Sequence, residues 1–220
     1  MDYDSFLELL KKRRSIRAFK KDPIPEDHIR MIAESVRLAP SGLNTQPWEV
    51  IIVNKPALKD RIAGIIREEV NKMPPRPMPA LKPGQKPTSP TGFLDAPVFM
   101  LLFGDTRIRA YGPPMDDDSW NALLTSNLAL GFHNILLSAN ALDLGAQWVS
   151  MVSRPNMAPG IKKLLGVPDA MRFYAMAALG HPDMEPAPKK MRALDKMIHY
   201  NECTEGDFRT EDEVKAFCAP

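Results

Sequence analysis

KKRRSIRAFKKDPIPEDHIRMIAESVRLAPSGLNTQPWEVIIV, residues 11–53, joins a basic knot, a helical pattern, a turn rich in hydrogen-bonding groups and an apolar run. Seven of the eleven positions from Lys11 to Lys21 are Lys or Arg. Asp22-Pro23-Ile24-Pro25-Glu26-Asp27 then supplies the proline and acids of a helix start. Ile29, Ile32, Ala33 and Val36 recur at i, i+3, i+4 and i+7, which lines one helical face with apolar side chains until Pro40 stops it. Glu49–Val53 is short, apolar and β-branched, and predicts a buried strand.

The pattern continues on both sides. Residues 4–13 place Phe6, Leu9 and Leu10 at helical spacing, with Asp4 as the expected N-cap, so that Arg13 and Arg14 arrive at a helix end. From Pro56 to Lys72, Leu58, Ile62, Ile65 and Ile66 mark another amphipathic helix. Residues 73–90 carry prolines at 74, 75, 77, 79, 83, 87 and 90, which exclude helix and central strand and predict an extended surface segment, a spacer or a loop over a site. Further strands are expected at Pro97–Phe103, Ala146–Val152 and Phe173–Leu179, and a short helix at Pro159–Leu165 closed by Gly166. Between them Ser119 to Leu144 is apolar on nearly every face yet studded with Asn and Ser, as a core or subunit-interface helix would be. Asp116-Asp117-Asp118 reads as its N-terminus, complementing the helix dipole. Strands interleaved with helices around one dominant buried helix predict an α+β, three-layer fold in a single domain over 1–220, with an insertion at about 73–92 and a tail at about 200–220.

Bulk properties narrow the function. An apolar fraction of 44% and a charged fraction of 25% are those of an ordinary soluble protein. A net charge of +2 gives no whole-molecule field for nucleic acid or an anionic membrane, and neither partner is expected. There is no uninterrupted apolar run of eighteen residues, and with Asp2, Asp4 and Glu8 in the chain's first turns no secretory leader is expected. Cys203 and Cys218 match no metal spacing, and His28, His133, His181 and His199 are isolated, so no metal is expected and the cytoplasm is the simplest setting. No acid–base dyad or nucleophile triad can be assembled.

Two constellations resist a purely structural reading. Arg13, Arg14 and Arg17 are arginines, suited to bidentate phosphate recognition, and a second basic cluster, Lys190 and Arg192, follows the last strand. In the turn Pro40-Ser41-Gly42-Leu43-Asn44-Thr45-Gln46-Pro47-Trp48, the amides of Asn44 and Gln46 offer donor and acceptor together, as needed to read the edge of a flavin or pyrimidine-like ring.

Arg13-Arg14-Ser15-Ile16-Arg17, PSGLNTQPW at 40–48, the long apolar helix, LGAQW at 144–148, LGHP at 179–182 and Lys190/Arg192 together resemble the nitroreductase family of FMN-dependent enzymes, in order from about Leu9 to Tyr200. The resemblance implies a central mixed, mainly antiparallel sheet flanked by helices, and a homodimer with FMN at the subunit interface. It implies that Arg13, Arg14, Ser15 and Arg17 contact the flavin's phosphate and pyrimidine edge, that Lys190 and Arg192 hold the phosphate, and that Pro40, Ser41, Gly42, Asn44 and Gln46 reach the partner's flavin. Gln147, Trp148, Val149 and Ser150 would lie along the ring. The implied activity passes hydride from NADH or NADPH through FMN to a small electron-poor acceptor, a nitroaromatic or a quinone; the flavin carries the chemistry, so no catalytic side chain is expected. Where the family has Gly-Leu-Gly, this chain reads Leu144-Gly145-Ala146 preceded by Asp143, and its proline-rich segment is longer. Reductive dehalogenation, as in the family's deiodinase branch, and flavin fragmentation are alternatives on the same scaffold. A non-catalytic nucleotide- or nucleic-acid-binding module would use the basic run, but has only Phe19 interleaved and leaves the 40–48 turn unexplained.

Overall fold

A computed structural model describes residues 2–74, 89–186 and 188–218, so most of the proline-rich segment expected at 73–90 lies outside the described residues. Four strands, β1 (Trp48–Val53), β2 (Val98–Asp105), β3 (Gly145–Val149) and β4 (Met171–Gly180), pair antiparallel in the order β1-β2-β4-β3. A parallel bridge from Ser15 to Ala146 lies on β3's other edge and makes the arrangement mixed. β2 is apolar almost throughout because both its faces are covered. Phe99, Leu101 and Phe103 join one buried cluster, while Val98, Met100 and Leu102 join the other.

Helices close both faces. α3 (Pro56–Asn71) contributes Ile62, Ala63 and Ile66, and α5 (Ala158–Leu165) contributes Ile161, to the first cluster. α2 (Glu26–Arg37) and α4 (Asp117–Ala141) pack on the opposite face through Ile29, Ile32, Val36, Leu128, Phe132 and Ile135. The α+β, three-layer expectation therefore holds. Apart from Ala63, each of these buried side chains contributes roughly 1.5–3 kcal/mol of hydrophobic stabilisation.

Local differences from the expected boundaries have physical causes. α1 (Tyr3–Lys12) is capped by Asp2, whose carboxylate accepts from the Ser5 backbone N–H at 2.8 Å; Asp4 sits inside the first turn, favourable to the dipole but not the cap. β3 stops at Val149, and Ser150–Ser153 turns as a 3₁₀ helix, so Val152 is buried from a turn and not from a strand. Asp116 does cap α4, accepting from Ser119 N at 2.8 Å. α4 is long and apolar enough to cross a membrane by length and composition, yet it lays Leu124, Leu128, Phe132 and Ile135 on the sheet. His133 is on the opposite, exposed side.

Candidate functional site

α1 ends where the sheet's open edge begins, and its last carbonyls are tied down. Leu9 O accepts from Arg13 N at 3.2 Å and from the Asn140 side-chain amide at 3.0 Å, while Leu10 O accepts from Lys189 Nζ at 3.2 Å. Lys12 pairs with Asp143 at 2.6 Å, an exposed contact that fixes direction more than stability. Asp143 has φ +55, the left-handed position after α4. Leu144 N reaches back to Ala139 O at 2.8 Å and Asp143 N to Asn140 O at 3.2 Å, which closes the helix as a Schellman motif. An aspartate tolerates the conformation glycine would favour there, and its carboxylate meets Lys12.

Beyond Arg13 and Arg14 the chain runs along β3. Ile16 N donates to Ala146 O at 3.0 Å, and a Cβ on Gly145 would stand 2.8 Å from the Ile16 Cβ, so only glycine permits the approach. Ser15 is thereby placed at the sheet edge with two arginines before it and Arg17, exposed, after it.

Arg13 and Arg14 are half-buried, and among the described residues neither guanidinium makes a hydrogen bond or ion pair. Lys189 joins them. Burial first, then the charges of Arg13 and Arg14, pull its pKa below the usual lysine value. Three cations near enough for Arg13 and Arg14 to act on Lys189, none of them in an ion pair among the described residues, can form a seat for an anion such as a phosphate. Lys190 is occupied elsewhere. Its Nζ donates to Ala216 O at 3.2 Å and Phe217 O at 2.7 Å and lies 4.9 Å from the Phe217 ring, binding the end of α6 (Glu211–Cys218). Arg192 donates to Lys196 O at 2.6 Å, and its Nε is buried without a partner. Lys189 opens the second basic cluster of the sequence, but only Lys190 and Arg192 are expected at the phosphate, because adjacent lysines outside a regular element carry no periodic signal.

The second constellation is a strained loop. Leu43, Asn44 and Gln46 have φ of 57°, 53° and 43°, a conformation that costs L-residues on the order of 1–2 kcal/mol each and that asparagine bears best. Internal bonds hold it: Gln46 N donates to Ser41 Oγ at 3.1 Å, Gln46 Nε2 to Asn44 Oδ1 at 2.9 Å and Thr45 Oγ1 to Gly42 O at 3.0 Å. Asn127 of α4, 2% exposed, accepts from Gly42 N at 2.9 Å and donates to Thr45 Oγ1 at 3.2 Å. A Cβ on Gly42 would lie 2.4 Å from Leu123 Cδ1. Asn127 is the second residue that sequence reasoning passed over; its only signal is an amide in an apolar helix. Pro40, Asn44 and Gln46 are exposed.

β3 completes the site. Val149 points into the first core cluster. Gln147 carries a buried amide oxygen that accepts no hydrogen bond, one of few such orphans among the described residues. Trp148 is 40% exposed and lies 4.7 Å from Phe132 and 5.9 Å from Tyr174, between ring centroids. Ser150 is exposed at the turn, where a cavity of about 390 Å³ opens beside Thr125, Trp148, Ser153, Arg172 and Tyr174.

An acid-free cation cluster, an edge strand, an unpartnered amide and an aromatic wall fit a phosphate-bearing flavin, and the comparisons decide the kinship. A profile of the nitroreductase family matches residues 10–181. The chain belongs to the nitroreductase family. It is 31% identical over 206 residues to iodotyrosine deiodinase 1 of Rattus norvegicus, covering 90% of this chain and 70% of that one. To NADH dehydrogenase of Thermus thermophilus it is 30% identical over 196 residues, covering 85% and 91%. In structure it superposes on the NADPH:FMN oxidoreductase of Vibrio harveyi, solved with NAD+, with a TM-score of 0.72 over 96% of this chain and 82% of that one, at 20% identity, a likeness of fold. As a nitroreductase-family oxidoreductase, the chain has its two constellations inside the matched span, whereas Lys189, Lys190 and Arg192 follow it.

Proposed function

We propose that this protein is an FMN-dependent NAD(P)H oxidoreductase acting as a homodimer with a flavin between the subunits. When bound, FMN supplies the redox chemistry, passing hydride from NADH or NADPH to a small electron-poor acceptor such as a nitroaromatic or a quinone. The observation that carries this reading is the acid-free cluster of Arg13, Arg14 and Lys189 at the head of the Ser15–Ala146 edge. These cations hold the phosphate. Ser15 and Arg17 supply a donor and a positive charge at the pyrimidine edge, where they favour negative charge on the ring. The orphaned amide of Gln147, Trp148 and Ser150 line it.

What one chain leaves bare supports the dimer. The outward stripe of α4, Ala122, Ser126, Leu130, His133 and Ala141, is exposed, with Leu130 at 43%. Pairing two such stripes would cover them and carry the exposed Asn44 and Gln46 to the neighbour's flavin. Arg13 lies close enough to His133 for its charge, after burial, to lower the imidazole's pKa, so the bare stripe and the phosphate seat are contiguous.

Steady-state kinetics test the activity. Initial rates with NADH or NADPH against a nitroaromatic should give the parallel double-reciprocal lines of a ping-pong reaction. Intersecting lines, or no oxidation of either nucleotide, contradict it. A second reading, reductive dehalogenation, is favoured by the deiodinase similarity over 90% of the chain. Release of iodide from an iodotyrosine, faster than nitroaromatic turnover, would select it.

A further inference from the structure

The cavity at the end of β3 holds a cation that the phosphate seat does not use. Arg172, at the start of β4, points its guanidinium to two neutral acceptors on α4, Asn121 Oδ1 at 3.4 Å and Thr125 Oγ1 at 2.5 Å. The Thr125 hydroxyl proton is already committed to Asn121 O at 2.6 Å, so its lone pairs are what face the arginine. An arginine carries five N–H donors, and among the described residues only these two contacts engage the fork. Among the described residues no carboxylate is paired with Arg172, and the cavity lining contains no Asp or Glu. Burial pushes the guanidinium pKa down, with only the Tyr174 hydroxyl acting against it. A partly desolvated cation without a counter-ion is an expensive thing to keep unless an anion comes to it.

The rest of the lining specifies the anion's body. Trp148, Tyr174 and Phe132 form a contiguous aromatic group with centroids 4.7–5.9 Å apart, and Trp148 is open to the cavity. Ser150 and Ser153 add hydroxyls at the rim. The hollow is open to solvent on one side, and its volume of about 390 Å³ has room for one single-ring aromatic. The phosphate seat is elsewhere: it lies where Ser15 meets Ala146, whereas Arg172 lines a cavity beside Ser150, past the end of β3 at Val149. Trp148 and Ser150 nevertheless belong to both the cavity and the proposed ring-lining surface.

We propose that this cavity is the acceptor pocket and that it takes a planar aromatic bearing a carboxylate, with Arg172 binding the carboxylate and Trp148 the ring. The assignment rests on the flavin reading only for its description of the ligand as an acceptor; the binding itself stands on the cavity. Arg172 then sets specificity by a charge-assisted fork, and neutral aromatics bind through the ring alone.

Calorimetric titration of the FMN-loaded protein with 4-nitrobenzoate and with nitrobenzene at neutral pH tests it. The native protein should bind the carboxylate about tenfold or more tightly than the neutral compound. R172Q should collapse that preference toward unity. R172K, which keeps the charge and loses the fork, should retain part of it and guards against a mere folding defect. Equal affinities in the native protein overturn the proposal, as does an R172Q protein that still prefers the carboxylate. An R172Q protein that keeps the preference but dissociates into single chains also overturns it, since Arg172 would then serve the subunit contact. Titration without FMN separates the two readings: a carboxylate preference in protein that takes up no FMN supports the pocket and sinks the proposed function, whereas FMN uptake without that preference overturns the pocket alone.

Discussion

Lys189 donates its ammonium to Leu10 O, and burial first, then the charges of Arg13 and Arg14, lowers its pKa from the usual 10.5. The sign of the consequence is fixed by linkage. A bound phosphate prefers the protonated lysine and raises its pKa, so flavin affinity should be full below the lowered value and decline as pH rises through it. Fluorescence titration of FMN across the alkaline range should show this decline beginning below pH 10.5. K189Q should bind FMN about tenfold more weakly and lose that limb. K190Q should bind nearly as the native protein does, because Lys190 holds the carbonyls of Ala216 and Phe217. An unaltered alkaline limb in K189Q would return the phosphate to Lys190 and Arg192.

Among the elements, α4 serves two purposes: it covers one face of the sheet and braces the 41–46 loop through Asn127. N127A leaves Gly42 N–H and Thr45 without their partner, at a cost of about 1–3 kcal/mol. With the brace gone, the left-handed conformations of Leu43 and Gln46 are no longer enforced. N127A should therefore lower both the melting temperature and FMN affinity, and a drop in melting temperature with unchanged affinity would separate the loop from the cofactor. Much of the element layout was legible in the sequence. β2 announces itself because both its faces are buried, and α2 because only one is. β3 misled because Val149 and Val152 keep an apolar pattern going while the backbone has already turned at Ser150. Asp2 and Asp4 are equivalent to a pattern reader, and only the bond to Ser5 N distinguishes the cap. The choice between Lys189 and Lys190 depends on side-chain direction in a segment without regular structure, which spacing cannot encode.

At the scale of the whole molecule, a two-faced sheet is sealed, yet the chain still presents bare apolar surface. Leu43 at 61% and Leu130 at 43% exposure are joined after the last strand by Met191, Leu194, Met197 and Phe208, each more than half exposed. Subunit pairing would cover such side chains wherever they adjoin the α4 stripe. In the proposed dimer the phosphate seat serves its own chain's flavin and the exposed Asn44 and Gln46 serve the neighbour's, so each chain would supply half of two sites. This ties flavin binding to assembly. The most direct test is titration of the purified protein with FMN in a sizing experiment that reads absorbance and mass together. The account predicts a yellow dimer carrying equimolar flavin per chain. A colourless protein that fails to take up added FMN, whatever its mass, would contradict it.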